Sequence, residues 1–325
     1  MKDLDTELIL RLKSSPGYVT RDELGKACGV GSCDVLQAVE TLRSRGYRID
    51  EIPGEGYRLV AAPDLIDACE IKTALADSGP TREVHVFTSV TSTNDVGARL
   101  AKQGADHGTV VVAEEQTEGR GRLGRRWESP PGLGLWFSLV LRPDLDARAS
   151  LAVSLVCALG VAVALRERYG IKADVKWPND VVVGPRKICG ILTEADFTDG
   201  RASLIILGFG LNVLHVLNDF PPELRSKATS IRLETNRLVG RAKLLAEILG
   251  AVEEKYAIFS SEGFVNLRRE LLALSPLIGK VTRVVTGGGE VEGTALGIDD
   301  TGALVLRTES GQLRSVIAGD IVRVG

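Results

Sequence analysis

The sequence is poor in the patterns that build metal sites and disulfide frameworks. Its five cysteines (Cys28, Cys33, Cys69, Cys157, Cys189) form no C-x-x-C pair, and its three histidines (His85, His107, His215) lie far apart. A zinc site or a disulfide-stapled fold is therefore not expected, and free thiols in a reducing cytosol are. Charge of one sign is also lacking: 40 Lys and Arg against 43 Asp and Glu leave a net −3. That balance removes the simplest case for a chain that coats nucleic acid, although a local basic patch survives it. The opening MKDLDTELIL alternates in charge and lacks the long apolar segment of a signal peptide. The least polar stretch, Ala149 to Leu165, has 17 uncharged residues including Ser150, Ser154 and Gly160. This is marginal for a bilayer span and reads as a buried helix, so no membrane partner is expected. No internal repeat or low-complexity tract is visible.

What is present is ordinary globular composition, 44% hydrophobic and 26% charged, in 325 residues. That length suits two or three domains. In residues 1–62, Leu4, Leu8, Ile9 and Leu12 recur at helical spacing. Thr20 and Glu23 make a capping box for a second helix with Leu24 and Ala27, and a turn at Gly29-Val30-Gly31 leads to Ser32 as the expected N-cap of a third, carrying Val35, Leu36, Val39 and Leu42. Tyr47–Ile52 and Tyr57–Val60 flank the turn Pro53-Gly54-Glu55-Gly56. Together these predict a winged helix-turn-helix. Residues 63–82, with Pro63, Gly79 and Pro80, read as a linker holding a short helix over Leu65 to Leu75.

Residues 83–275 mix strands (Val84–Thr88, Gly108–Glu114, Leu135–Leu141, Ala173–Lys176, Lys187–Glu194, Ser203–Leu211) with helices (Asn94–Gln103, Ala149–Arg168, Arg241–Ser260). The class is α+β or mixed α/β, which periodicity alone does not decide. Residues 276–325 change to short strands with turn signals every eight to twelve residues, the pattern of a small β-barrel.

The densest chemical signal is Gly119-Arg120-Gly121-Arg122-Leu123-Gly124-Arg125-Arg126-Trp127. Glycines let backbone N–H groups approach a ligand, and arginines supply charged forks for phosphate or carboxylate, so an anion site competes here with a solvated basic loop or an RNA-contacting turn. The Walker spacing is absent. Lys176-Trp177-Pro178-Asn179-Asp180 follows a strand and Lys187 opens the next. Either lysine is a solvated surface cation or, near the arginine loop, a group that neutralises charge at phosphorus. Ser92-Thr93-Asn94 fits a helix N-cap, and Gly208-x-Gly210-x-Asn212 fits close backbone packing.

Taken in order and spacing, Ser92-Thr93-Asn94, Gln116, Gly119-Arg120-Gly121-Arg122-x-Gly124-Arg125, Lys176 to Asp180, Arg186-Lys187-x-x-Gly190 and Gly208-x-Gly210-x-Asn212 resemble the bifunctional biotin protein ligase and biotin operon repressor family. The resemblance implies a three-part α+β protein: an N-terminal winged helix-turn-helix, a central mixed α/β ligase domain and a C-terminal SH3-like β-barrel. It implies formation of biotinyl-5′-AMP from biotin and ATP with Mg²⁺, then transfer to a lysine of biotin carboxyl carrier protein. The carried-over biotin contacts are Ser92, Thr93, Asn94, Gln116, Arg120, Gly121, Arg122, Lys187, Gly190 and Gly208. Arg122, Arg125, Trp127, Lys176, Asn179 and Asn212 would serve the nucleotide, and Lys187, Arg122 and Arg125 the chemistry. Asn212 is assigned to the adenylate or its metal, Trp127 either packs under the loop or covers the adenine, and Arg126 lies at the surface outside the motif. No all-protein metal cage is visible. The related lipoyl ligases share the catalytic fold without this full set.

The same resemblance implies a cytoplasmic homodimer that binds biotin operon DNA through Ser32, Gln37, Arg43, Arg45 and the wing's Arg58. Charge argues against ease of binding. Residues 1–62 hold nine Lys and Arg against ten Asp and Glu, and the expected recognition helix presents Asp34 and Glu40 with Arg43 as its one cation.

Overall fold

The computed structural model describes residues 4–75 and 82–324 and divides into two compact units, one of residues up to 81 with 240–246 and one of the remainder.

In the first unit, α1 (Leu4–Ser14), α2 (Arg21–Cys28) and α3 (Ser32–Ser44) precede a hairpin of β1 (Arg48–Ile52) and β2 (Gly56–Ala61) and a further helix, α4 (Ala68–Leu75). The apolar positions at helical spacing, Leu8, Ile9, Leu12, Leu24, Val35, Val39 and Leu42, meet Tyr47, Ile49 and Tyr57 in one core. The Thr20–Glu23 capping box forms as the spacing predicts. The start of α3 differs from expectation. Gly31 is its N-cap and Ser32 its first helical residue, because Asp34 reaches back to accept from the Gly31 N–H at 3.0 Å. A carboxylate at the third helical position is a strong acceptor for the N-cap N–H, and the Ser32 hydroxyl is left to donate to Asp22.

The helix expected near Leu65 to Leu75 is α4, which buries Cys69, Glu70 and Ile71 in this unit. Glu70 accepts from Lys13 Nζ (3.0 Å) and from the Tyr47 hydroxyl (2.7 Å), while Arg45 pairs with Asp67 (2.6 Å) and Asp5 (3.0 Å). Residues 63–75 are thus tied down by part-buried and buried polar pairs. Gly79 and Pro80 of the expected linker lie outside the described residues. The buried Arg241 donates from its backbone N–H and its Nε to the Asp64 carboxylate, both at 2.8 Å.

The second unit opens with β3 (Val84–Val90), α5 (Thr93–Lys102), β4 (Val110–Gln116), β5 (Gly134–Leu141) and β6 (Leu145–Asp146). It continues with α6 (Val153–Tyr169), β7 (Asp174–Lys176), β8 (Asp180–Val183), β9 (Arg186–Thr198) and β10 (Arg201–Asn212). These strands form one sheet in the order β3-β4-β5-β10-β9-β8-β7, with β6 beside β10; β3 and β4 run parallel and the other pairs antiparallel. The 17-residue apolar stretch lies in the buried helix α6 and its lead-in turn, and all of its positions from Val153 to Leu165 except Ser154 and Val163 are buried. Two elements escape the periodicity. The Lys176-to-Asp180 motif is a turn that continues into β8, and β9 runs past Glu194 to Thr198 because its polar end still pairs with β10.

Then come α7 (Ile231–Thr235), α8 (Arg241–Glu262), which begins in the first unit's residues, and α9 (Val265–Ala273), whose charged face hides Leu267 and Leu271 as its buried pair. The last strands are β11 (Val281–Thr286), β12 (Gly289–Ile298), β13 (Leu304–Arg307), β14 (Leu313–Val316) and β15 (Asp320–Val324), an antiparallel sheet in the order β14-β13-β12-β11-β15.

Candidate functional site

The β4–β5 loop is a shaped excursion. Gln116 N–H donates to Ser129 O, Trp127 N–H to Gly119 O and Gly121 N–H to Arg125 O, at 3.1, 2.9 and 2.7 Å. Its tip is a short turn, Arg122–Gly124, with Leu123 exposed in the left-handed region at φ 56°. The four arginines do not face one another bare. Arg120 is bidentate to Asp95 (2.8 and 2.6 Å) and reaches Glu194 at 3.3 Å. Arg122 bonds Asn179 Oδ1 (3.2 Å) and Gly319 O (3.1 Å) and lies 3.5 Å from Asp320, which also pairs with Arg125. Arg126, at the exposed side, pairs with Glu128 at 3.1 Å. Like-charge repulsion among the loop's arginines is offset by these acids; the Arg120 bond holds the Asp95 carboxyl below its ordinary range.

The floor below the loop is made of glycines. Gly190 of β9 and Gly210 of β10 are register partners. A methyl on Gly210 would overlap the Trp127 indole at Cε2 and Nε1, and one on Gly190 would come 2.7 Å from Lys187 Cε and 3.2 Å from Trp127 Cζ3. Trp127 therefore packs under the loop, against bare backbone. Lys187 Nζ lies 5.1 Å from the indole centroid and 2.6 Å from Asp180 Oδ1, so a cation–π contact and an ion pair fix one ammonium. Trp127 Nε1 is buried with no hydrogen-bond partner.

The start of α5 forms the polar wall. Ser92, Thr93 and Asn94 are buried. Ser92 occupies the N-cap position without a side-chain cap bond, and the Thr93 N–H is instead capped by Gln116 Oε1 at 2.8 Å. Gln116 Nε2 donates to Ser129 Oγ at 2.9 Å. Asn94 Nδ2 donates to Glu194 at 2.8 Å, and Ser138 Oγ lies 2.7 Å from Asn94 Oδ1. Gly208 leaves the space for that amide, since a methyl there would overlap Asn94 Oδ1.

These groups line a cleft of about 330 Å³, whose wall includes Ser92, Thr93, Asn94, Gln116, the loop from Arg120 to Trp127, Lys176, Asn179, Lys187, Gly190 and Gly208, closed on one side by Asp320, Ile321 and Val322 of the C-terminal sheet. Such a cleft has fixed cations, a polar end and a small apolar floor, the means to hold an anionic, partly apolar ligand against a second anion. Asn212 is the exception. It is buried outside the cleft wall, donating to Thr229 O at 3.0 Å, because its place at the end of β10 turns its amide toward the following segment.

Comparison with known proteins bears directly on this cleft. Residues 86–212 match the Biotin/lipoate A/B protein ligase family, and residues 277–324 match the Biotin protein ligase C terminal domain. A Bacillus subtilis (strain 168) protein named Bifunctional ligase/repressor BirA is 35% identical over 96% of this chain and 97% of its own. This chain belongs to the biotin/lipoate A/B protein ligase family. Within it, the Biotin--[acetyl-CoA-carboxylase] ligase of Paracoccus denitrificans is 34% identical, covering 68% of this chain and 92% of that one. The structure of biotin protein ligase from Aquifex aeolicus in complex with biotin and ATP matches with a TM-score of 0.65 and 30% identity over 75% of this chain and 99% of that chain.

In this family member, sequence patterns missed Asp95, Ser138, Glu194 and Asp320. Ser138 carries a signal, as the one polar side chain in the wholly buried strand GLWFSLVL. Asp320 carries none, standing 195 residues from Arg125.

The expected DNA-contacting residues sit in the first unit. Gln37 is exposed on α3. Ser32 Oγ donates to Asp22 at 3.3 Å. Arg43 is turned inward, with Nε and Nη2 on Ile49 O and Nη1 on Glu40 at 2.6 Å. Arg45 is held by Asp5 and Asp67, and Arg58 pairs with Asp50 at 3.3 Å and lies over the Tyr18 ring. Both acids on α3 have local work: Asp34 caps the helix and Glu40 holds Arg43. Among the described residues, no group of three or more His, Cys, Asp or Glu side chains gathers as a metal site.

Proposed function

We propose that this protein is a biotin protein ligase that makes biotinyl-5′-AMP from biotin and ATP, transfers biotin to a lysine of biotin carboxyl carrier protein, and represses biotin-synthesis genes in response to biotin. The observation that carries the ligase half is the convergence of the whole expected residue set, Asn212 excepted, on one cleft of about 330 Å³. Ser92, Thr93, Asn94 and Gln116 hold the ureido head, which needs both donors and acceptors. Gly208 and Gly190 make room, and Gly121 brings backbone close. Arg120, already held by two carboxylates, anchors the loop over the ligand.

In the first step the biotin carboxylate attacks the α-phosphorus and pyrophosphate leaves. Two anions must be brought together, so the barrier falls chiefly through positioning and charge stabilisation. Lys187 neutralises the carboxylate as it becomes an acyl phosphate. Arg122 and Arg125 exchange Asp320 for phosphate oxygens. Lys176, Asn179 and Trp127 line the nucleotide side. Mg²⁺ fits as an ion carried in by the triphosphate: the carboxylates on the wall, Asp180 and Asp320, are each already paired with a cation. In the second step the carrier lysine's ε-amine attacks the acyl carbon and AMP leaves.

The repressor half rests on coverage. The Bacillus subtilis ligase/repressor spans nearly all of this chain, whereas the Paracoccus denitrificans and Aquifex aeolicus ligases match a smaller share. Residues 1–62 then form a winged helix-turn-helix that binds operator DNA as a two-fold homodimer, residues 63–82 the connection, 83–275 the catalytic domain and 276–325 an SH3-like barrel, in a cytoplasmic protein. Single-turnover adenylation with biotin against lipoate tests the substrate: pyrophosphate release with lipoate and not biotin would reassign the protein to lipoate or octanoate ligation. A gel shift on DNA upstream of biotin-synthesis genes tests the repressor, with binding expected to strengthen with biotin and ATP and weaken with salt.

A further inference from the structure

The orientation of the Asn94 carboxamide is set by a residue outside the cleft wall. Asn94 Nδ2 donates to Glu194 Oε2 at 2.8 Å, and Ser138 Oγ stands 2.7 Å from Asn94 Oδ1. A carboxylate only accepts, so the amide nitrogen must face Glu194 and the amide oxygen must face Ser138. The other Glu194 oxygen is taken by Arg120 Nη2 at 3.3 Å, and a guanidinium only donates. Glu194 is therefore held as a double acceptor between two donors. Gly208, with no side chain, leaves the space that the amide occupies, since a methyl there would come 2.3 Å from Asn94 Oδ1.

We propose that Glu194 is a positioning residue that fixes the polarity of Asn94, so that the amide presents an accepting oxygen at the polar end of the cleft. This deepens the ligase reading and rests on it: an accepting oxygen suits a ligand head that carries N–H, as a ureido ring does, and gives nothing to a dithiolane. The chemistry sets a directional consequence. In Glu194→Gln the new side chain keeps its oxygen toward Arg120 and turns its NH₂ toward Asn94. Asn94 must then flip and present nitrogen where it had presented oxygen. Arg120 keeps both bonds to Asp95, so the loop anchor survives.

The test is steady-state pyrophosphate release by the full chain. For Glu194→Gln, one misdirected hydrogen bond to the buried Asn94 should raise the biotin KM about tenfold, with kcat at saturating biotin and the ATP KM within about twofold of the parent. Glu194→Asp, which retains an acceptor-only group, should restore most of the biotin KM. Asn94→Ala with Glu194→Gln should be no worse than Asn94→Ala alone, since Glu194 acts through Asn94. An unchanged biotin KM in Glu194→Gln, additive losses in the double variant, or equal damage to kcat and both KM values would overturn the proposal. A parent protein that releases no pyrophosphate with biotin would instead sink the ligase reading, which separates the two failures.

Discussion

Replacing Gly210 by Ala should disable the cleft without touching any charged group. The added methyl would overlap Trp127 Cε2 and Nε1 and come 2.8 Å from Cζ2, closer than side-chain carbons approach. Gly210 has no positive φ, so the effect is packing and not backbone strain. The indole cannot yield downward into β9 and β10; it must lift toward the cleft, carrying away the surface on which Lys187 Nζ rests at 5.1 Å from the ring centroid. One extra methyl in a packed site costs about 1–3 kcal/mol. At about 1.4 kcal/mol per decade this corresponds to a roughly ten- to hundredfold fall in kcat/KM for ATP, shared between nucleotide affinity and turnover. The assay is pyrophosphate release with ATP varied at saturating biotin, beside a thermal melt. Gly297→Ala, where an added methyl meets nothing within 4 Å, is the control and should match the parent. Parent-like ATP kinetics in a folded Gly210→Ala protein would refute the view of the paired glycines as the floor for Trp127 and Lys187.

Three further outcomes are expected. Lys187→Ala should abolish adenylate formation while leaving a folded protein, and normal pyrophosphate release by that variant would remove Lys187 from the mechanism. Asp320→Asn should free Arg125, loosen Arg122 and speed tryptic cleavage within residues 119–127 of the empty protein, whereas biotin with ATP should slow it; equal cleavage in all states would show that neither acid nor ligand orders the loop. His215 is buried against Phe220 and Trp136, and desolvation pushes its pKa down to about 4 from 6.5. Folding therefore favours the neutral ring, and its contribution is full above pH 6.5 and lost as pH falls toward about 4. Up to about 3 kcal/mol should disappear across that window, and His215→Leu should flatten the pH dependence of the melting temperature.

The site was legible where its chemistry is local. The arginine loop and the Lys176-to-Asp180 turn are each compact runs in sequence, and their residue types, with the glycines at 190, 208 and 210, declare close approach and anion binding. What periodicity alone did not reveal is the company these residues keep. Asp320 meets Arg122 and Arg125 across almost two hundred residues, and Glu194 meets Asn94 across a hundred, with no local pattern to announce either pair. Asn212 stands apart: its place in a motif implied a role toward the adenylate or its metal, while its Nδ2 donates to Thr229 O and it lies outside the cleft wall. In the first unit, counting charge over residues 1–62 suggested a helix hostile to phosphate. The structure gives Asp34 a capping role and Glu40 a partner in Arg43, so net charge there reflects helix stability as much as any surface for DNA.

The most direct test of the central claim is incubation of the full chain with ATP, labelled biotin and an apo biotin carboxyl carrier domain, followed by recovery of the carrier. Label covalently attached to the carrier's single target lysine, dependent on ATP and lost in Lys187→Ala, is the result this account predicts. A carrier that stays unlabelled while lipoate is transferred to a lipoyl domain, or while biotin merely binds and alters DNA affinity, would contradict it.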